Sequence, residues 1–197
     1  MSTALQSRVA VLALVVALLT VPIAGAQVEG LAQEQVDADT VVLQVDLQAD
    51  GDAQWAISYR TRLDDDNTTE AFQSLQDDIE ADPGTYTSDF GDGMGQTVAR
   101  AENTTEREMS LRNLTVTAET EALPQEYGVV TYRFEWTNFA AVEGGELRAG
   151  DALSELFLDA ESTLRISWPE SYERTSVTPS PTRSARISSM FEFVAPK

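Results

Sequence analysis

Two short runs of alternating residues open the informative part of the chain. Val41, Leu43, Val45 and Leu47 alternate with Val42, Gln44, Asp46 and Gln48, and Trp55, Ile57 and Tyr59 alternate with Gln54, Ala56, Ser58 and Arg60. A period of two sends side chains by turns to a core face and a wet face, so each run predicts a strand. Asp50-Gly51 between them predicts a tight hairpin turn, because both residues tolerate positive φ. Past Arg62 the rhythm changes. Ala71, Phe72, Leu75 and Ile79 recur at helical spacing, with Asn67 or Thr68 as cap and Pro83-Gly84 as terminator. Tyr86, Phe90, Met94, Val98 and Ala101 keep an i+4 rhythm that predicts a second helix, broken near Gly91, Gly93 and Gly95.

Alternation then returns. Met109 and Leu111 share one phase, and Leu114, Val116 and Ala118 the other, which predicts a β-bulge near Arg112-Asn113. Val130, Tyr132, Phe134 and Trp136 form the clearest later strand. A loop or short strand is expected around Leu147. Leu153, Leu156, Phe157 and Leu158 make another apolar segment, and Leu164, Ile166 and Trp168 a strand stopped by Pro169. Thr175 to Arg186 reads as extended or loose, and Ile187 to Val194 as a last strand. The expected fold is α+β: an antiparallel β-sandwich with two helices inserted after the first hairpin.

The N-terminus reads differently. Arg8, the apolar run Val9–Leu19, Pro22 and Ala24-Gly25-Ala26 form a signal-peptide pattern over 1–26, with an uncleaved anchor as the alternative. Residues 27–39 are a polar lead-in, and 40–197 a single extracytoplasmic β-rich domain. The expected location is extracytoplasmic, secreted or membrane-anchored through the N-terminal apolar segment.

Composition narrows the chemistry. The 197 residues include 33 Asp plus Glu against 13 Lys plus Arg, a formal charge of -20, and there is no Cys and no His. Cleavage after Ala26 would leave 12 bases against 33 acids. Without His or Cys, triad catalysis and ordinary zinc, haem or iron–sulfur ligation are excluded within this chain. Lys197 is the only lysine, which excludes an internal Schiff base or P-loop lysine. The negative charge repels phosphate backbones, so no nucleic acid is expected as a partner. It also implies self-repulsion that concentrated salt would screen, which fits a protein of brine.

Few chemical motifs remain. Asn67, Asn103 and Asn113 begin N-glycosylation sequons. Asp64, Asp65 and Asp66, and separately Asp89 and Asp92, lack the calcium-loop spacing and read as solvated acids. Glu143 and Glu146 flank two glycines and offer a carboxylate pair of the glycosidase type. Trp55, Trp136 and Trp168 continue apolar alternations, so core packing is favoured over a sugar platform. No metal, cofactor or catalytic residue is expected.

The order of motifs resembles an uncharacterised extracytoplasmic domain family of haloarchaea. The residues are the hairpin with Trp55, Phe72-x-x-Leu75, Ala101-x-x-x-Thr105-x-Arg107-x-Met109, Gly128-Val-Val-x-Tyr132-x-Phe134-x-Trp136-x-x-Phe139, Gly150-Asp151 and Pro169-x-x-Tyr172. The resemblance implies a signal peptide before the domain and, in some relatives, a membrane helix and a cytoplasmic winged-helix region after it. This sequence ends at Lys197 before any second apolar segment, so a truncated member, or one that is secreted or anchored only by an uncleaved leader, is expected. The leading expectation is a non-enzymatic secreted or cell-surface interaction or sensor domain with a protein or glycan partner. A carboxylate-dependent extracellular glycan hydrolase and a structural envelope protein are the alternatives.

Overall fold

The computed structural model describes residues 38–122, 125–153, 158, 161–176, 183–184 and 190–194. The expected signal peptide and most of the expected lead-in lie outside the described residues, as do most of the Leu153–Leu158 segment and of Thr175–Arg186.

The hairpin forms as its alternation requires. Strand β1 (Thr40–Leu47) pairs antiparallel with β2 (Ala53–Arg62), and Gly51 takes φ +94° in the turn. A side chain at Gly51 would meet the Ala140 carbonyl oxygen at 2.6 Å, so glycine also lets the turn dock on the following corner. Helix α1 (Asp66–Ala81) follows. Its cap is Asp65, two or three residues before the expected caps, and its carboxylate accepts the Thr68 N–H at 2.8 Å. That bond, at a helix N-terminus, holds the Asp65 carboxyl below its ordinary range.

Helix α2 (Pro83–Thr105) begins at once, with Asp82 serving both helix ends. It runs unbroken through Gly91, Gly93 and Gly95, against expectation. The reason is the buried stripe Phe90, Met94, Val98 and Ala101: tertiary packing of that stripe outweighs a glycine cost of about 1 kcal/mol each.

Strand β3 (Ser110–Glu121) pairs antiparallel with β4 (Tyr127–Thr137), and its register shifts between Arg112 and Thr115. This is the expected bulge, with Asn113 at φ +55°. A small hairpin joins β5 (Ala141–Glu143) to β6 (Glu146–Arg148). Strand β7 (Ser162–Ser167) then lies beside β1, and β8 (Arg183–Ser184) and β9 (Met190–Val194) extend that side.

The strand order is β3-β4-β2-β1-β7-β9-β8, one mixed sheet. The α+β class and the two inserted helices hold, while the antiparallel sandwich is corrected on two counts. Strands β1 and β7 are parallel, and the layer that buries the apolar face is the helix pair. Alternation records that one face of a strand is buried, not what buries it. Phe72, Leu75 and Ile79 of α1 and the α2 stripe join Val45, Trp55, Ile57, Tyr132, Phe134 and Trp136 in one core. Phe90 stacks on Tyr132 with ring centroids 4.1 Å apart. Gly128 lies beneath the Phe72 ring, where a side-chain carbon would approach to 2.4 Å.

Candidate functional site

The second face of the sheet is the candidate. Strand registers arrange its side chains in rows. Thr115, Arg133, Ala56, Gln44 and Arg165 form one row, and Arg112, Glu135, Gln54, Asp46 and Ser167 the next. Thr117, Thr131, Ser58, Val42 and Thr163 form a third. Gln44, Gln54, Arg112 and Arg133 are exposed.

This face satisfies its own polar groups. Ser58 and Thr131 share a hydroxyl hydrogen bond of 3.0 Å. Arg133 donates to the Thr117 hydroxyl and Arg112 to the Ser110 hydroxyl. The Glu135 carboxylate accepts from the amides of Gln54 and Asn113, both at 3.3 Å. Asp46 accepts from Gln44 and from the Ser167 hydroxyl. Such cross-strand pairs stabilise a sheet that faces water. Chemically the face offers small hydroxyl side chains flanked by Arg112 and Arg133, both bonded to neutral oxygens. That suits binding and gives no nucleophile–base pair.

The hairpin end of the sheet holds the other polar cluster. Arg107, just past α2, donates to both oxygens of Asp151 at 2.5 and 2.9 Å and to the carbonyls of Asn138 and Phe139 at 2.9 and 2.8 Å. The Arg107 hydrogen bonds hold the Asp151 carboxyl below its ordinary range, against partial burial. Asn138, at φ +52°, donates its side-chain amide to the Glu108 carbonyl, and its N–H binds Asp52 in the hairpin turn. Tyr172 donates to the Ala49 carbonyl, and Trp168 to the Tyr172 carbonyl. So the motif residues Arg107, Phe139 and Asp151 meet as a clasp that locks loops to one end of the sheet, and Tyr172 separately ties its own segment to the hairpin turn. Sequence reasoning did not join Arg107 to Asp151. The two lie in separate motifs, 44 residues apart, and an arginine in so acidic a chain is the one local signal.

The sequence-predicted sites scatter. Asn67 is exposed in the first turn of α1, Asn103 is exposed in the last turn of α2 with its amide on the Ala99 carbonyl, and Asn113 is exposed at the bulge. Asp64–Asp66 surround the α1 cap, and Asp89 and Asp92 lie on α2. Among the described residues no three metal-ligating side chains converge. Glu143 and Glu146 stand on the β5–β6 hairpin, where Glu143 pairs with Arg148. Trp55 and Trp136 are fully packed, the Trp136 N–H against the Met109 sulfur at 3.3 Å. Trp168 is half-buried at the sheet end. Burial pushes the Tyr59 phenol up to about 12. Among the described residues no helix is long and apolar enough to cross a membrane.

Among the described residues a mixed sheet, backed by helices on one face and by no second layer on the other, defines an α+β domain whose second face is mostly polar. The chain belongs to the family described as domain of unknown function DUF7345, which matches residues 44–172. That span takes in the hairpin from Gln44 onward, both helices, β3 to β7 and the clasp. No curated protein matches the chain.

Proposed function

We propose that this is a non-enzymatic interaction domain, working outside the cytoplasm, secreted or at the cell surface, in concentrated salt. The observation that carries the reading is the difference in charge between its two outer surfaces. From Asp66 to Thr105, the helical layer, the chain carries nine acids and one base, Arg100. Over β3, β4, β2, β1 and β7 the three rows of the open face carry Arg112, Arg133 and Arg165 against Asp46 and Glu135. A near-neutral patch on a strongly acidic molecule is where a partner meets least repulsion. The leader pattern supports the extracytoplasmic site, and the acid surplus supports the saline one.

A photo-reactive residue placed at Ser58, on the open face, and separately at Gln73, on α1, tests the reading in the native cells. Adducts from Ser58 and none from Gln73 are expected. Adducts from Gln73 alone, or from neither, would overturn it. The saline part predicts a melting temperature that climbs between about 0.1 and about 3 M KCl, as the Debye length falls from about 10 to about 3 Å. A flat or falling curve rejects it.

A further inference from the structure

The charges of the open face are arranged in bands. The row of Arg133 and Arg165 is positive, and the next row along the strands carries Glu135 and Asp46 with Arg112. Arg133 and Glu135 are two residues apart on the same strand, so their positions differ by about 7 Å along it.

We infer that two copies of the chain pack open face to open face. The two-fold axis lies between the sheets, perpendicular to the strands, at the level of Phe134. Arg133 of each copy then faces Glu135 of the other. The inference rests on the reading of the open face as an interaction surface and names its partner as a second copy.

Four observations carry it. First, a two-fold axis of this orientation lays the positive row of one copy on the row of Glu135 and Asp46 of the other. An isologous interface needs such self-complementarity. A uniformly acidic or basic partner would meet repulsion from one of the two rows. Second, Arg133 and Glu135 are at present bonded to neutral groups, the Thr117 hydroxyl and the amides of Gln54 and Asn113. Pairing across the interface replaces those bonds, in each of which one member is charged, with bonds in which both members are, adding the attraction between unlike charges. Third, Ala56 and Ser58 at the middle of the face are small, so two sheets can approach to about 10 Å, within the combined reach of an arginine and a glutamate. Fourth, the helical layer, with its nine acids and one base, repels a copy of itself, which leaves the sheet face for association. Five strands about 4.8 Å apart make a patch at the low end of specific interfaces, so a micromolar dissociation constant is expected.

Charge reversal tests the geometry. The full chain, Arg133→Glu, Glu135→Arg and the double variant are compared by sedimentation in about 1 M KCl, from about 1 to about 100 μM. Concentration-dependent dimers are expected for the natural chain, at least about tenfold weaker dimerisation for each single variant, and recovery to within about threefold in the double variant. Melting curves near the natural one show that each variant is folded. A natural chain that stays monomeric at about 100 μM overturns the inference. So do single variants that dimerise normally, and a double variant that does not recover. The Ser58 cross-link separates the two proposals. A monomeric chain whose Ser58 still captures another molecule sinks self-pairing and leaves the interaction face standing. A monomeric chain with no adduct sinks both.

Discussion

The two faces of this sheet come from the same strands, residue by residue, yet they are satisfied by different means. On the covered face Trp55, Tyr132, Phe134 and Trp136 are each at most 3% exposed. They meet the rings of Phe90 and Phe139 at centroid distances of 4.1 to 5.9 Å. On the open face Thr117, Thr131, Arg133 and Glu135 bond laterally to one another's neighbours across the strands. The first face depends on volume, the second on hydrogen-bond pairing. A change of size should therefore be costly on one face and nearly free on the other.

The largest effect should come from Trp136→Ala. It empties a fully packed site and costs about 3–5 kcal/mol. Thr117→Ala, on the open face, should stay within about 0.5 kcal/mol. Urea melts of the two variants check the contrast, and equal losses would break it. Gly128→Ala adds volume where Trp136→Ala removes it. The new carbon would meet three atoms of the Phe72 ring at 2.4 to 2.6 Å, which a buried ring on α1 cannot easily yield. A loss of about 1–3 kcal/mol is expected. A melting temperature equal to the natural one would show that α1 rides more loosely on the sheet than its burial implies.

Much of the covered face was legible in the sequence, and the reason is local. Period two at Val41–Leu47 and Ala53–Tyr59, the Asp-Gly turn and the phase change around Asn113 are all written within a few residues. Each reappears as a strand, a turn and a bulge. Two features were not legible because they join distant parts of the chain. The parallel pairing of β1 with β7 sets Val41 beside Ser162, and no local signal reports a neighbour that far away. The contact of Arg107 with Asp151 spans 44 residues. The unbroken α2 departs from its sequence signal for the converse reason: glycine propensity is local, and the Phe90–Ala101 stripe that overrides it acts through packing on the sheet. The open face was the least legible part, since polar alternate residues look the same whether water or a partner covers them.

The clasp at the hairpin end predicts a smaller, pH-dependent effect. Asp151 has its carboxyl lowered in the fold by the Arg107 hydrogen bonds. A lowered folded value means that the contribution is present above the ordinary carboxylate range and is lost as pH falls through the folded value. Because Asp151 is about half exposed, with a side-chain exposure of 47%, solvent limits its worth to about 1 kcal/mol. Asp151→Asn should lower stability by that amount near neutral pH and by progressively less in acid. Parallel loss at every pH would show that the clasp acts by shape rather than charge.

The smallest effects should separate three glycines of one helix. Gly93 and Gly95 have nothing within 4 Å of where a side-chain carbon would stand, whereas Gly91 would meet the Leu114 Cδ2 at 3.2 Å. In an open helical position alanine restricts the unfolded chain and stabilises by about 0.4–1 kcal/mol. Gly93→Ala and Gly95→Ala should therefore each raise the melting temperature. Gly91→Ala gains the same chain term but presses α2 against Leu114 of β3, so its net change should be near zero or negative. The contrast reads the helix–sheet contact directly. If all three stabilise equally, Leu114 gives way, and α2 is held by its buried stripe alone. If none does, the acidic helical layer is limited by the repulsion of its carboxylates. In that case the same three variants should regain their differences as KCl is raised and the charges are screened.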